Sequence, residues 1–252
     1  MMKNDELKLE VKNLLQELKN YVENAHASGV IVGNSGGKDS AVVIGLLALA
    51  LGKEKVLTVT MPCESKEQDR KDALVVAETF GVRCINVSLD NAFIALKQSI
   101  EAAIEEKLDS EPIVNMKPRL RMTTLRTIAQ QKNYLLMGTG NLCEIFVGYF
   151  TKDGDGACDY NPLGRFSVEE VYQIARFIGV PEIILKKAPS DGLGKLTDEE
   201  KLGVTYDQIT EYIVTGKTDV EAARVIARKH KATEHKRHMP KIYERITKLT
   251  WR

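Results

Sequence analysis

Apolar residues follow two different spacings along this chain. Near the start they recur at steps of three and four residues, which is the spacing of one face of a helix. This apolar stripe predicts an opening helix of about 20 residues that packs against another element through that face. The stripe consists of Leu7, Val11, Leu14, Leu15, Leu18 and Val22.

Farther along, short apolar runs alternate with longer stretches of helical pattern. The runs are too brief for helices and rich in β-forming residues, and they predict strands at 30–32, 56–61, 84–89 and 134–137. The stretches between them predict helices at 40–51, 67–80, 91–107 and 118–131. Strands that alternate with helices in this way join through right-handed crossovers into a parallel sheet with helices on both faces.

The predicted fold class is therefore α/β, with a doubly wound parallel sheet. The run AVVIGLLALAL after the first strand is apolar on every side, so we expect its helix to be sandwiched in the interior. A chain of 252 residues with 43% apolar side chains can form a substantial core, and we predict one domain over residues 1–252.

Charge and cysteine content exclude several function classes. The chain has 36 Lys and Arg against 35 Asp and Glu, so it lacks the basic field that dominates nucleic-acid binding. Its four cysteines form no CxxC pair, and no apolar run approaches the roughly 20 residues of a membrane span. The N-terminus is charged and has no signal-peptide pattern. We expect a cytoplasmic protein without disulfides that binds neither nucleic acid nor membrane.

A glycine-rich segment, GNSGGKDS at 33–40, follows the first predicted strand. It is not a Walker A motif, because Asp39 stands where that motif needs Ser or Thr and Val32 where it needs glycine. Glycines let the backbone approach a ligand closely, and the N–H groups of the turn and the next helix form an anion cradle. A carboxylate facing phosphates requires a cation between them, so Asp39 is a candidate Mg²⁺ ligand. The alternative is a glycine-rich turn without a ligand.

A second polar group follows the fourth predicted strand. GTGN comes directly after residue 137, so Thr139 and Glu144 should lie at the carboxyl edge of the sheet beside the glycine-rich loop. Asp39 and Glu144 could then share cations with a triphosphate. A surface carboxylate or a local helix cap would also account for Glu144.

These motifs carry a family resemblance. SGGKDS resembles the signature of pyrophosphate-loop ATPases, which adenylate a substrate and release pyrophosphate. KPRLRM at 117–122, GTGNLCEIFVGYFTKDGDGACDYNPL at 138–163, and then TDEEKLGVTYD and TEHKRHMP, resemble ammonia-dependent NAD synthetases in the family's order over nearly the whole chain. The resemblance implies an adenine nucleotide alpha hydrolase-like (Rossmann-like) fold, ATP, deamido-NAD and ammonia as substrates, Mg²⁺, and a homodimer in which the opening helix could take part.

The resemblance also implies roles for individual residues. It assigns catalysis to Lys38, Asp39 and Glu144, and the metal to Asp39 and Glu144. The ATP-binding residues that it implies are Gly33, Asn34, Ser35, Gly36, Gly37, Lys38, Asp39, Ser40, Thr139 and Ser190. The residues that it implies for deamido-NAD are Arg119, Lys152, Asp159, His235 and Lys236.

Simple structural roles, without a bound ligand, are the alternatives for some of these residues. The glycine-rich stretch at 153–156 could be a polar turn, the basic run at 227–241 a solvated helix face, and Arg119 an exposed helix start. One departure stands out: where the family has an ATP-contacting lysine, this chain has Val168, so either Arg165 substitutes or the contact is absent.

Two other functions remain open from the sequence: a tRNA-modifying adenylating enzyme and a non-catalytic nucleotide-binding module. We expect residues 186–201, rich in Gly, Lys, Asp and Ser, to form a mobile loop over bound substrates. Only one helix precedes the glycine-rich loop, which leaves no room for an amidase domain, and no cysteine has a recognisable catalytic base. We therefore expect free ammonia to be the nitrogen source, and Cys143 to be a small buried residue.

Overall fold

Four parallel strands form the sheet at the centre of the fold. The computed structural model describes residues 2–187, 197–243 and 245. The strand order is β3-β2-β1-β4, so β1 is central, and Val30 of β1 lies beside Val56 of β2 and Leu135 of β4. The predicted parallel sheet is confirmed, with strand ends within three residues of those expected. The strands are β1 (Gly29–Gly33), β2 (Val56–Thr60), β3 (Arg83–Asn86) and β4 (Tyr134–Leu136).

Helices join the strands and extend beyond the last one. The five predicted helices are present, and further helices follow that we had not placed. In the described part of the chain the helices are α1 (Asn4–Asn24), α2 (Lys38–Leu51), α3 (Glu67–Phe80), α4 (Asp90–Ile104), α5 (Ser110–Lys132), α6 (Leu142–Val147), α7 (Val168–Ile178), α8 (Glu182–Leu185), α9 (Asp198–Leu202), α10 (Tyr206–Thr215) and α11 (Val220–Ala232).

The start of α5 was predicted wrongly. We expected it at Pro118, since proline favours the first turn of a helix, but the helix begins at Ser110 and Pro118 lies inside it. A proline inside a helix removes one backbone hydrogen bond. Met116 and Met122, on either side of it, are both buried in the same apolar cluster, and this packing holds the two halves of the helix in place.

Helices cover both faces of the sheet, as predicted. One apolar cluster joins α1, α2, α3 and α7 to one face, and a second joins α4 and α5 to the other. The expectation for α2 is confirmed for Ala41–Leu47, which are buried, whereas Leu49 near its end is 56% exposed. A third cluster, from α6, α7, α9, α10 and α11, lies outside the sheet and includes Cys143, which is fully buried as predicted.

The apolar stripe of α1 packs within its own chain. Leu7, Val11, Leu14, Leu18 and Val22 are all buried in the cluster that α1 shares with α2 and α7. The stripe is therefore not available to a second copy, and an interface through α1 would have to use another face of this helix.

Other expectations concern cysteines and membranes. All four cysteines are free, in agreement with the prediction of no disulfides. Among the described residues, no helix is both long and apolar enough to cross a membrane. The single-domain assignment over residues 1–252 stays a prediction.

Candidate active site

The polar motifs gather where the order of strands in the sheet changes direction. The chain runs outward from β1 to β2 and β3, and then returns to place β4 on the other side of β1. In open parallel sheets, ligands bind at such a switch point, beyond the carboxyl ends of the strands. The glycine-rich loop follows β1 and the GTGN segment follows β4, so both motifs open onto this crevice.

The glycine-rich loop is built against the start of α3. Asn34 donates from its side chain to the Ala73 carbonyl at 2.8 Å and accepts the Gly36 N–H at 3.2 Å. Gly36 has a φ of +72°, and a Cβ there would lie 2.6 Å from the Asp69 carbonyl oxygen, so only glycine fits. The close approach of α3 thus fixes the shape of the loop.

Two serines shape the other side of this loop. The Ser35 hydroxyl accepts the Gly37 N–H at 3.2 Å and lies 3.0 Å from the Ser40 hydroxyl. Ser40 in turn donates to the Gly37 carbonyl at 2.9 Å. Gly33 ends β1, and Gly37 caps the N-terminus of α2 in an extended conformation. The loop therefore presents the N-terminus of a buried helix to the crevice, which favours an anion there.

Lys38 and Asp39 form an ion pair at the start of α2. The Lys38 ammonium lies 2.8 Å from an Asp39 carboxylate oxygen and 5.5 Å from the ring centre of Tyr172. Burial disfavours the charged form of Lys38, but Asp39 and Glu144 outweigh it and raise the pKa of the ammonium above its ordinary value. Lys38 is therefore a permanent cation at the mouth of the loop.

Asn141 joins the two acidic residues. It is fully buried at the N-cap of α6, where its side chain accepts the Glu144 N–H at 3.1 Å and donates to Asp39 at 3.3 Å. Its own N–H donates to the Glu144 carboxylate at 2.9 Å. Glu144 thus has the capping role that we had considered as an alternative, and that role also holds it beside Asp39. Burial and the nearby Asp39 raise the pKa of Glu144.

Sequence reasoning missed Asn141, although a signal was present. Asn-x-x-Glu over 141–144 is the signature of a capping box at the start of a helix.

The carboxylates of Asp39 and Glu144 are suitable ligands for a shared Mg²⁺. Protein sites for Mg²⁺ commonly supply one or two carboxylates and leave the other positions to substrate phosphates and water. Asp39 and Glu144 are two such carboxylates, both linked to Asn141, at the edge of an anion cradle. Among the described residues, no group of three or more His, Cys, Asp or Glu side chains could hold a metal by itself. A metal held by these two carboxylates would take its other ligands from substrate oxygens or water.

A third carboxylate, which we had not singled out, lies behind the acid pair. Asp198, buried at the start of α9, accepts hydrogen bonds from the hydroxyls of Tyr149 at 3.2 Å and Tyr206 at 3.3 Å. Burial, followed by the charges of Glu144 and Asp198, raises the pKa of the Tyr206 hydroxyl. Tyr206 therefore remains a neutral donor, and α9 is tied to the back of the site.

Four of the five residues predicted for deamido-NAD lie in one connected group. Arg119 donates to the Lys152 carbonyl at 3.3 Å, and the Lys152 ammonium donates to the His235 carbonyl at 3.2 Å. Lys236 donates to the Gly148 and Phe150 carbonyls at 2.8 and 2.6 Å. The structure thus brings Arg119, Lys152, His235 and Lys236 together from three distant parts of the sequence. Their role toward a substrate remains a prediction.

Asp159 has different neighbours. One carboxylate oxygen pairs with Arg126 at 2.5 Å, and the other accepts the Leu136 N–H at 2.7 Å. One oxygen therefore fastens the segment after 153–156 to α5, and the other fastens it to β4. Arg126 is a further residue that the sequence did not reveal, since its pairing with Asp159 depends on how α5 lies over β4.

Several other predicted features can now be placed. Thr139 is half-buried just after β4, Val168 is 6% exposed at the start of α7, and Arg165 is exposed. Ser190 and most of the loop predicted at 186–201 lie outside the described residues. His230 is half-buried: its ring stacks on Phe146 and bonds to the Phe146 carbonyl at 2.8 Å.

Comparisons with known proteins agree with this arrangement. The sequence profile of the family described as NAD synthase matches residues 10–243. An NH(3)-dependent NAD(+) synthetase of Carboxydothermus hydrogenoformans is 42% identical over 232 residues, which span 92% of this chain and 95% of that protein.

Two solved structures are similar over almost their whole length. An NMN synthetase of Francisella tularensis superposes with a TM-score of 0.89 at 33% identity, covering 94% of this chain and 98% of that one. An NH3-dependent NAD synthetase of Campylobacter jejuni superposes with a TM-score of 0.79 at 26% identity, covering 97% of this chain and all of that one.

Proposed function

Because the chain belongs to the NAD synthase family, we propose that it catalyses the ammonia-dependent synthesis of NAD(+). ATP adenylates the nicotinate carboxylate of deamido-NAD and pyrophosphate leaves; ammonia then attacks the acyl-adenylate, forming the amide and releasing AMP. The observation that carries the proposal is the meeting of Asp39 and Glu144 at Asn141, beside the glycine-rich loop at the switch point of the sheet.

The chain's own residues suit a reaction of this kind. A carboxylate resists attack by ammonia because its oxygen is a poor leaving group, and adenylation converts it into a good one. The N–H groups of the glycine-rich loop and the Lys38 ammonium are placed to bind the phosphates and to stabilise the departing pyrophosphate. No protein nucleophile is needed, so catalysis rests on positioning and on electrostatic stabilisation.

We include Mg²⁺ in the proposal, held by Asp39 and Glu144 together with oxygens of ATP. The ion would supply positive charge that neutralises the triphosphate and its leaving group. Asn141 orients both carboxylates, and the Tyr206 and Tyr149 hydroxyls keep Asp198 in place behind them.

Pyrophosphate release tests the proposed function. Purified protein with ATP, Mg²⁺, deamido-NAD and ammonium should release pyrophosphate and form NAD(+) and AMP, and release should stop when deamido-NAD is omitted. A non-catalytic nucleotide-binding module would bind ATP and release nothing. A tRNA-modifying enzyme would release pyrophosphate only with tRNA.

A homodimer and a cytoplasmic location complete the proposal. Leu9 on α1, Leu49 on α2 and Phe177 on α7 are exposed large apolar residues that a second copy could cover. Analytical ultracentrifugation of the purified chain would give its assembly state, and a monomer at micromolar concentration would contradict the dimer.

Nicotinate mononucleotide is a second candidate for the acid substrate. The similarity to the Francisella tularensis NMN synthetase, at 33% identity and a TM-score of 0.89, favours nicotinate mononucleotide as the acid that is amidated. The activating chemistry would be the same, and only the adenylate half of the dinucleotide would be missing. The ratio of kcat/KM for nicotinate mononucleotide and deamido-NAD decides between the two.

A further inference from the structure

One arginine near the carboxyl end of β2 forms no ion pair with a carboxylate in the described part of the chain. Arg121, on α5, donates from Nε to the Met61 carbonyl at 3.2 Å and from Nη2 to the Ser65 hydroxyl at 3.4 Å. These bonds use two of the five N–H donors of a guanidinium. Within the described part of the chain, the other three donors have no hydrogen-bond partner, and no carboxylate forms an ion pair with Arg121.

Two separate segments of the chain lie near Arg121: the loop after β2 together with α3, and the glycine-rich stretch at 153–156. Met61 and Ser65 belong to the loop after β2, next to the strand that leads into the glycine-rich loop. The electrostatic neighbours of the guanidinium are Asp69, where α3 touches Gly36, and Asp155, in the glycine-rich stretch near Lys152. Arg121 therefore lies between the segment predicted for ATP and the segment predicted for the nicotinate nucleotide.

A structural role alone does not account for this cation. The loop after β2 is already held by Lys117, one helical turn before Arg121, whose ammonium pairs with Glu64 at 2.7 Å. The Glu64 N–H also donates to Asp90 at 2.7 Å. Partial burial of a charge without an ion-pair partner is costly, and desolvation outweighs the attraction of Asp155 and Asp69 and lowers the pKa of Arg121 below its ordinary value. Such a cation is characteristic of a site where an anionic ligand completes the pairing.

Arg119 and Lys236 are poorer candidates for an anion at this position. Arg119 is exposed on another face of α5, and Lys236 donates to two backbone carbonyls. The planar fork of a guanidinium matches a carboxylate through two parallel hydrogen bonds, which a lysine ammonium cannot do.

We propose that the Arg121 guanidinium binds the carboxylate of the nicotinate substrate through two N–H donors and so selects the acid over its amide product. The inference rests on the proposed function, since it names the group that recognises the substrate of that reaction. The amide product carries no negative charge, so its pairing with Arg121 is weaker, and this favours release once ammonia has reacted.

Calorimetric titration of the Arg121→Gln variant tests the inference in the absence of turnover. Deamido-NAD and NAD(+) are each titrated into protein without ATP, and ATP is titrated separately into protein without either dinucleotide. Wild-type protein should bind the acid more tightly than the amide. Loss of a charge-assisted pair should weaken deamido-NAD binding by about 10- to 100-fold in Arg121→Gln and leave NAD(+) binding nearly unchanged. Arg121→Lys should lie between the two, because it keeps the charge and loses the fork.

Two matched controls separate this role from loop support and from a general charge effect. Lys117→Gln removes the other cation that holds the loop, and should change the affinities for acid and amide by the same factor. Arg70→Gln makes the same substitution at an exposed arginine paired with Glu67, and should change neither.

Three results would overturn the inference: a wild-type protein that binds acid and amide equally, an Arg121→Gln variant that keeps the acid preference, or one that loses affinity mainly for ATP. The last would place the guanidinium on a phosphate instead of the carboxylate. A wild-type protein that releases no pyrophosphate with either nicotinate nucleotide would instead remove the proposed function itself, and the inference with it.

Discussion

Asn141 is the residue that connects the two carboxylates of the acid pair. Asn141→Ala should lower the rate of pyrophosphate release by about 10- to 100-fold and raise the Mg²⁺ concentration needed for half-maximal activity, because Asp39 loses the side-chain donor that orients it. It should also cost about 1 kcal/mol of stability through loss of the α6 cap. Steady-state kinetics over a Mg²⁺ series and urea unfolding measure both effects.

Asn141→Ser separates these two effects. Serine is about as good an N-cap as asparagine and adds no charge, so the variant should keep nearly the stability of wild type. Its shorter side chain loses the amide donor to Asp39, so activity should remain low. An Asn141→Ser enzyme with wild-type turnover would show that the hydrogen bond to Asp39 does not matter.

The acid pair itself gives a second prediction at this scale. Asp39→Asn and Glu144→Gln should each abolish pyrophosphate formation and leave the fold intact, since each removes a proposed metal ligand and keeps its shape. Glutamine at the third helical position can still complete the capping box with Asn141. Circular dichroism checks the fold, and wild-type-like turnover of either variant at ordinary Mg²⁺ would refute the shared-metal arrangement.

At the scale of elements, the end of α6 packs against the end of α11 at Gly148. Gly148 has a φ of +68°, and a Cβ there would overlap the Thr233 side chain, which bonds to the Val147 carbonyl at 3.2 Å. Gly148→Ala should therefore move the segment that carries His235 and Lys236, weaken deamido-NAD binding and lower the melting temperature. The matched control is Gly179→Ala, where φ is +84° but nothing lies within 4 Å of the added Cβ.

The two variants share the cost of a left-handed backbone, which is about 1 to 2 kcal/mol for a residue with a Cβ. Only Gly148→Ala adds a clash. Equal losses of stability and equal affinities for deamido-NAD in the two variants would show that the contact between Gly148 and Thr233 does not position His235 and Lys236.

The connection between α4 and α5 should make stability depend on pH. The Glu101 carboxylate accepts from Lys97 at 2.8 Å, from the Leu108 N–H at 3.1 Å and from Lys107 at 3.1 Å. The hydrogen bond from Lys97, with those from Leu108 and Lys107, lowers the pKa of Glu101 from 4.5 to about 2. A carboxyl group whose pKa falls on folding stabilises the protein above its unfolded pKa and loses this effect as the pH falls through the folded value.

Glu101→Gln should therefore be less stable than wild type at pH 7, and the difference should shrink as the pH falls from 4.5 toward 2. Urea unfolding midpoints at several pH values measure it. Glu106→Gln, at an exposed position close by, serves as the matched control. A difference that stays constant with pH would show that Glu101 acts through shape and not through charge.

The elements show which parts of the fold a sequence can reveal. The strands and α1 to α4 were predictable because short apolar runs alternate with longer stretches of helical pattern. The helices from α6 onward were missed, although Ser167-x-x-Glu170 and Thr205-x-x-Gln208 mark two of their starts as capping boxes.

The side-chain contacts that connect the motifs within the site were harder to predict than the motifs themselves. Asn34 to Ala73, Arg126 to Asp159 and Arg121 to Met61 each connect residues more than 30 positions apart. Such contacts depend on how a helix lies across the sheet, and no local pattern records that. The motifs could therefore be recognised in the sequence, whereas the side chains that hold them could not.

At the scale of the whole molecule, one sheet places two separate polar segments side by side. The glycine-rich loop and the GTGN segment are about 100 residues apart in sequence, but β1 and β4 are neighbours, so both segments meet at the same edge. Outside the sheet, the packing of α6 against α11 brings His235 and Lys236 beside the segment that follows GTGN in the sequence. The fold thus brings together residues that are far apart in the chain and that we predict to bind ATP, metal and deamido-NAD.

The nitrogen source is the last prediction, and it concerns the chain as a whole. Delivery of ammonia from glutamine would require a nucleophile with a base, and three of the four cysteines of this chain have thiol pKa values that disfavour this role. Cys63 and Cys143 are buried, and burial raises the pKa of both thiols, which disfavours the reactive thiolate. Burial raises the pKa of Cys158 as well. Ammonium should therefore support NAD(+) formation from ATP and deamido-NAD by the purified chain, and glutamine alone should give essentially none. Efficient glutamine-driven synthesis while a second enzyme scavenges free ammonia would overturn this prediction, and a parallel reaction with added ammonium shows that the protein used is active.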